Sequence, residues 1–233
     1  MNTLNRSLTH ALPAALLLAA STVAAQATPA QPQQPQQPMG FFVTSVGKGA
    51  GANLGGLAGA DEHCLTLARA AGAGSRTWHA YLSAAAAAGQ PPINARDRIG
   101  NGPWYNAKGA LIAWNVADLH GDIQRDRNSI NKEFALNEKG LPVNGRGDTP
   151  NQHDTLTGTQ QDGTAVPGSD DATCGNWTSS ADGQGGAVVG HTDLVGNSQG
   201  INFWNYSHKT PGCAPANLQR VGGAGLFYCF AAN

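Results

Sequence analysis

Histidine and acid side chains stand close together at two points in the second half of this chain, His153-Asp154 and His191-Thr192-Asp193. A carboxylate beside an imidazole can orient it as a general base, and with Ser198 or Ser207 as nucleophile such a pair would make a hydrolytic triad. Asp148, Asp154, Asp162, Asp170, Asp171 and Asp182 punctuate the same region. Clustered carboxylates suit Ca²⁺, and Asp170, Asp171 and Asp182 are the candidates for such a site. Aspartate equally caps turns in solvated loops. A third chemistry is stacking. Trp104, Tyr105, Trp114, Trp204 and Tyr206 carry flat faces that suit a sugar ring or an apolar partner. Asn106, Asn202 and Asn205 beside them can hydrogen-bond hydroxyls. Each of these aromatics is also a candidate core residue, and Trp177, three residues after Cys174, is assigned to the core.

Cys64, Cys174, Cys213 and Cys229 complete the set of reactive side chains. No two of them fall at the two-to-four-residue spacing of a zinc site. In an exported chain disulfides are the default, and four cysteines allow three connectivities.

The elements that must position these residues begin after an export signal. Met1–Ala27 has one cation (Arg6), an apolar run from Leu12 to Val23, and small residues at Ala25 and Ala27, the pattern of a cleaved secretory peptide. That run is too short to span the hydrocarbon core, so no transmembrane anchor is expected once the signal is removed. Residues 28–38 form a Pro/Gln-rich spacer of extended character. Residues 39–233 are then one unit, large enough for a substantial core. With Arg6 gone, 13 cations face 15 anions, which removes the basic face that nucleic acid requires. Charged residues are 12% and glycines number 31, which favours short strands and ordered loops over long ion-paired helices. The pattern predicts strands over 40–45, 77–83, 110–114, 173–179 and 221–231, and a helix over 60–71 with Cys64, Leu65, Leu67, Ala68 and Ala71 along its apolar stripe. Asp61 and Glu62 are placed where a helix dipole is positive. The alanine run 84–88 reads as one helical turn, and 115–171 as a long, weakly patterned loop region.

Three places resemble the C-type-lectin-like fold, and within it the endostatin module and similar bacterial exported domains. Gly56 to Gly72, with Cys64 inside it, is similar to the first helix. Thr77 to Ser83 is similar to the strand that follows. Cys174-Gly175-Asn176-Trp177, Cys213 and Leu226-Phe227-Tyr228-Cys229 are similar to the closing strands. The resemblance implies an α+β domain with antiparallel sheets, one main packed helix, a long irregular loop region and nested disulfides, Cys64 with Cys229 around Cys174 with Cys213. It does not bring the family's ligand chemistry. Neither Glu-Pro-Asn nor Gln-Pro-Asp occurs, and Thr178-Ser179 stand where a calcium-dependent lectin follows its tryptophan with Asn-Asp. Residues 28–38 hold no histidine for the zinc segment of endostatin. The leading expectation is a secreted or periplasmic recognition module, binding glycan or a surface protein through Trp104, Tyr105, Trp114, Trp204, Tyr206, Asn202 and Asn205, without a cofactor or with Ca²⁺. An exported hydrolase using long-loop Asp and His residues, or a structural envelope protein, is the alternative.

Overall fold

The computed structural model describes residues 37–87, 89–121, 130–193 and 203–233. The expected signal segment and all but the end of the Pro/Gln-rich stretch lie outside them, as do Asn202 and Ser198. Among the described residues no helix is long and apolar enough to cross a membrane.

One strand, β8 (Gly223–Ala231), anchors the fold. Successive side chains of a strand point to opposite faces, and both faces of β8 are apolar, as a strand covered on both sides requires. Leu226, Tyr228 and Phe230 enter one buried cluster with Phe41, Trp104, Ile112 and Trp204. Phe227, Cys229 and Ala231 enter a second with Phe42, Cys64, Trp78 and Trp177. β1 (Phe41–Val43) and β2 (Trp78–Ala80) both pair antiparallel with the C-terminal half of β8, from opposite edges. β5 (Asp154–Leu156) runs along its N-terminal half, and β6 (Val188–His191) and β7 (His208–Lys209) extend the sheet, giving the order β1-β8-β5-β6-β7. β3 (Trp104–Tyr105) and β4 (Leu111–Ala113) form a separate ribbon, followed by α2 (Val116–Leu119).

The protein is α+β, but the main sheet is mixed rather than purely antiparallel, because β5 pairs parallel with β8. A parallel neighbour needs a long crossover, and here the crossover contains β6, β7 and α4 (Pro215–Val221).

The principal helix, α1 (Gly56–Ala70), buries Ala60, Cys64 and Ala68, four residues apart on one face. It begins earlier than the pattern predicts, because Gly55 and Gly56 adopt positive φ and Gly59 N donates to Gly55 O. Asp61 is therefore in its second turn and does not serve the dipole. Its carboxylate accepts from Ala80 N at 2.8 Å and from Arg98 Nη2 at 2.7 Å, pinning β2 to the helix. Leu65 and Leu67 are half-buried and Ala71 is exposed.

Both disulfides are present, Cys64–Cys229 joining α1 to β8 and Cys174–Cys213 nested inside it. The expected strand 173–179 is instead α3 (Cys174–Trp177), a single turn in which Cys174, Asn176 and Trp177 take φ of 48°, 54° and 67°. Non-glycine residues pay roughly 1–2 kcal/mol each for that region. Hydrogen bonds hold it: Gly175 N donates to Asp171 Oδ2 at 3.0 Å and Asn176 N to Thr173 Oγ1 at 3.2 Å. The turn drops the Trp177 ring into the core, where its indole N–H donates to Ser83 O at 2.7 Å. The alanine run is not helical: Ala84 bridges Ile93 and Ala87 bridges Gln90.

Candidate metal centre

Three adjacent strands bring a cluster of imidazoles around one carboxylate. Asp154 opens β5, and the antiparallel register with β6 sets it opposite His191. β7 pairs with β6 so that His208 lies opposite Val189. His153 precedes β5, and Asp193 follows β6 by two residues. Asp154 Oδ1 lies 3.1 Å from Nε2 of His153 and 3.1 Å from Nε2 of His191, and Oδ2 lies 3.3 Å from Nε2 of His208. The His153 and His191 rings stack with centroids 4.3 Å apart and planes at 15°, and His208 meets His191 edge-on. On its far side His153 Nδ1 is 2.8 Å from Asp193 Oδ1. Asp193 Oδ2 in turn accepts from the Arg146 amide.

The cluster is dry. Side-chain exposure is 5% for His153, 1% for Asp154 and 8% for His191. Both oxygens of Asp154 and Nε2 of His191 are nevertheless buried without a hydrogen-bond partner. A buried carboxylate without well-formed hydrogen bonds costs several kcal/mol, and where the facing Nε2 atoms carry no proton their lone pairs repel those of the carboxylate. A cation between them removes both problems. Around a tetrahedral ion with bonds of 2.0–2.1 Å, neighbouring ligand atoms are about 3.3 Å apart, close to the 3.1 Å that separates Asp154 Oδ1 from Nε2 of His153 and of His191. Among the described residues, His153, Asp154 and His191 are the one group of candidate metal ligands whose ligand atoms all lie within 4.8 Å of one another.

The surroundings fit the same purpose. Metal-bound histidines normally donate their second N–H to a carboxylate or carbonyl, which fixes ring and tautomer, and Asp193 occupies that position behind His153. Burial pushes the Asp193 carboxyl up, but the His153 hydrogen bond and the Arg146 amide outweigh it and hold it down at about 2. Asp154 is likewise pushed up by burial and pulled net below the usual range by the facing histidines. The His208 imidazole is raised, chiefly by Asp154. Two glycines leave space for the assembly. A Cβ on Gly222 (φ +101°) would lie 3.0 Å from the His153 ring and 2.7 Å from Asn151 Nδ2, and one on Gly145 would lie 2.6 Å from Asp193 Oδ2.

The histidine–acid neighbours in the sequence gain partners across the strands: His153 meets Asp193 as well as its neighbour Asp154, and His191 faces Asp154. His153 does have a carboxylate on Nδ1, as a triad base would, but its Nε2 faces Asp154 instead of a hydroxyl. Ser198 lies outside the described residues. It stands within Gly196-Asn197-Ser198-Gln199-Gly200, a glycine-x-serine-x-glycine spacing whose catalytic use requires a strand-to-helix turn. Among the described residues, the Phe203–Tyr206 turn and β7 come next, and the next helix is α4.

The expected calcium ligands have other tasks. Asp171 caps the α3 turn, Asp182 accepts from Asn217 Nδ2 at 2.9 Å, and Asp170 is exposed. The aromatic set divides. Trp104 is fully buried, its indole N–H donating to Ala231 O at 2.9 Å. Trp204 packs against Tyr81 and Tyr228 at 4.7 and 5.3 Å. Asn205 is buried, with Nδ2 donating to Tyr81 Oη at 2.9 Å. All three are buried: Trp104 and Trp204 cover the apolar face of β8, and Asn205 is enclosed with its amide on Tyr81 and the Gln161 carbonyl. Trp114 and Tyr206 are exposed and Tyr105 is half-buried. His208 is the site residue that sequence reasoning misses. The one signal is an imidazole at the start of a short β-capable stretch, which gains meaning only from its pairing with β6.

No protein-family model matches this chain, and no curated protein matches it at a significant level.

Proposed function

We propose that this chain is an exported metal-binding module whose centre takes a zinc-class divalent ion between His153, Asp154, His191 and His208, with Asp193 as the outer carboxylate. The observation that carries this is the buried Asp154 carboxylate, both oxygens unpartnered, facing three imidazole nitrogens. The donor chemistry selects the metal class. Ca²⁺ takes six to eight oxygens, whereas imidazole suits Zn²⁺, Cu²⁺ and Ni²⁺. Two disulfides fit an oxidising compartment. The nested bridges and the single main helix against β8 support a C-type-lectin-like scaffold, and the exposed Trp114 and Tyr206 support recognition of a glycan or a surface protein.

Metal content after dialysis against chelator and then zinc tests the centre. The expected result is one zinc per chain in wild type and none in His191→Ala. Absence of zinc uptake by folded wild type at 100-micromolar order of concentration, well above the affinities usual for such sites, defeats the proposal. A glycan array probed with and without chelator tests the recognition role.

A further inference from the structure

The donors around Asp154 are not equivalent. The ligand atoms of His153, Asp154 and His191 lie within 4.8 Å of one another, and His208 is outside that group, reaching only the second carboxylate oxygen. The inner side chains are at most 8% exposed, whereas His208 is 37% exposed. The anchoring differs too. His153 is fixed from behind by Asp193 and stacked on His191. His191 belongs to β6, which is paired on both sides. His208 lies on β7, a two-residue strand at the end of the sheet order, joined to β6 at only two register positions. The exposed Tyr206 stands two residues before it.

Structural zinc sites close all four positions with protein, while reactive or ligand-accepting sites hold the ion by three donors and leave one position exchangeable. We infer that this centre is of the second kind: His153, Asp154 and His191 retain the ion, and His208 is the exchangeable ligand that yields its position to a carboxylate arriving from solvent beside Tyr206. The inference rests on the metal reading of the site. The charge balance selects the incoming group. A divalent ion held by one carboxylate and two neutral imidazoles carries +1 on its directly bound donors, and Asp193 offsets that only from behind His153, so an anionic oxygen donor bound to the ion itself is favoured over a neutral one. The exchange is a substitution of one ligand for another, with no change in oxidation state. An acidic side chain of a protein partner and an acidic sugar share this chemistry.

Cobalt substitution reads each step separately, since tetrahedral Co²⁺ absorbs in the visible and its bands respond to ligand exchange. Acetate serves as the carboxylate probe. His208→Ala is expected to keep Co²⁺ with an affinity within about tenfold of wild type, and His191→Ala to lose it by about a hundredfold or more, since even outer-shell changes cost 10–100-fold. Millimolar acetate is expected to shift the His208→Ala spectrum and, at higher concentration, that of wild type. His208→Asn provides a second variant should the alanine form fold poorly, with circular dichroism as the check. Equal loss of Co²⁺ in the His208 and His191 variants overturns the inference, as does a His208→Ala spectrum that acetate leaves unmoved. Both results leave the metal centre standing. Failure of folded wild type to take up Co²⁺ or Zn²⁺ removes the centre itself, and the inference with it.

Discussion

Asp154→Asn distinguishes a metal centre from a network of charged histidines, because the two predict opposite responses in metal-free protein. Asp154 makes no well-aligned hydrogen bond on either oxygen, and its polar neighbours are the Nε2 atoms of His153, His191 and His208 at 3.1, 3.1 and 3.3 Å. In chelator, substitution by the isosteric amide therefore removes a buried charge at little cost, within about 1 kcal/mol by the usual worth of such groups. If the carboxylate instead held the fold together through ion pairs with its neighbours, removing it would cost about 3–5 kcal/mol. With zinc at a hundred times the dissociation constant, wild type gains about 2.7 kcal/mol by mass action. For a domain of 195 residues (233 − 38), that is a rise of about 5–11 °C in melting temperature. Loss of the Asp154 carboxylate, one of the three inner donors, should weaken binding at least about a hundredfold, leaving the variant a gain of about 0.4 kcal/mol at the same zinc concentration. Four melting curves suffice, two proteins each in zinc and in chelator. A variant already strongly destabilised in chelator, together with a wild type indifferent to zinc, would refute the argument.

Other perturbations test the supporting structure. Gly222→Ala should lower zinc affinity about tenfold or more, measured by competition with a chromogenic chelator, because its methyl meets the His153 ring and Asn151 and φ is +101°. Metal-free protein should lose stability as pH falls from about 3.8 toward about 2, where Asp193, favoured as an anion in the fold, takes up its proton. Asp193→Asn should flatten that part of the urea-stability profile. His208 has the opposite sign: its raised value adds stability below its ordinary 6.5, and this is lost as pH climbs through the folded value. Removing the Cys64–Cys229 bridge, which spans 165 residues, should cost about 5 kcal/mol, and removing Cys174–Cys213, which spans 39, about 4 kcal/mol by loop-closure entropy. Equal chemical-denaturation midpoints with and without either bridge would contradict this. Trp104→Ala should cost about 3–5 kcal/mol and Trp114→Ala less than about 0.5 kcal/mol, since one ring is sealed in the core and the other is in solvent.

The sequence by itself determined the parts of this protein that depend on local pattern. Ala60, Cys64 and Ala68 repeat every four residues, so a helix must bury them together. The alternation of Leu226, Phe227, Tyr228, Cys229 and Phe230 marks a strand covered on both faces, and β8 is that strand. The disulfide pairing was legible only through the family resemblance, since four cysteines leave three connectivities open. The α3 turn was not legible, because its left-handed residues are held by Asp171 and Thr173 against their intrinsic preference.

The centre itself belongs to tertiary structure. His153-Asp154 and His191-Thr192-Asp193 are visible as neighbours in the chain, and His153 does meet Asp154, but the other contacts of the centre are made across strands. The β5–β6 register places Asp154 against His191, and the loop behind them turns Asp193 back to His153. His208 enters from a third strand, 54 residues after Asp154 (208 − 154), through a pairing that nothing in its local sequence specifies. The aromatics show the same limit. Trp104 and Trp114 are both tryptophans near strands of one ribbon, and only the packing of Phe230 against Trp104 makes the first a core residue while the second stays in water.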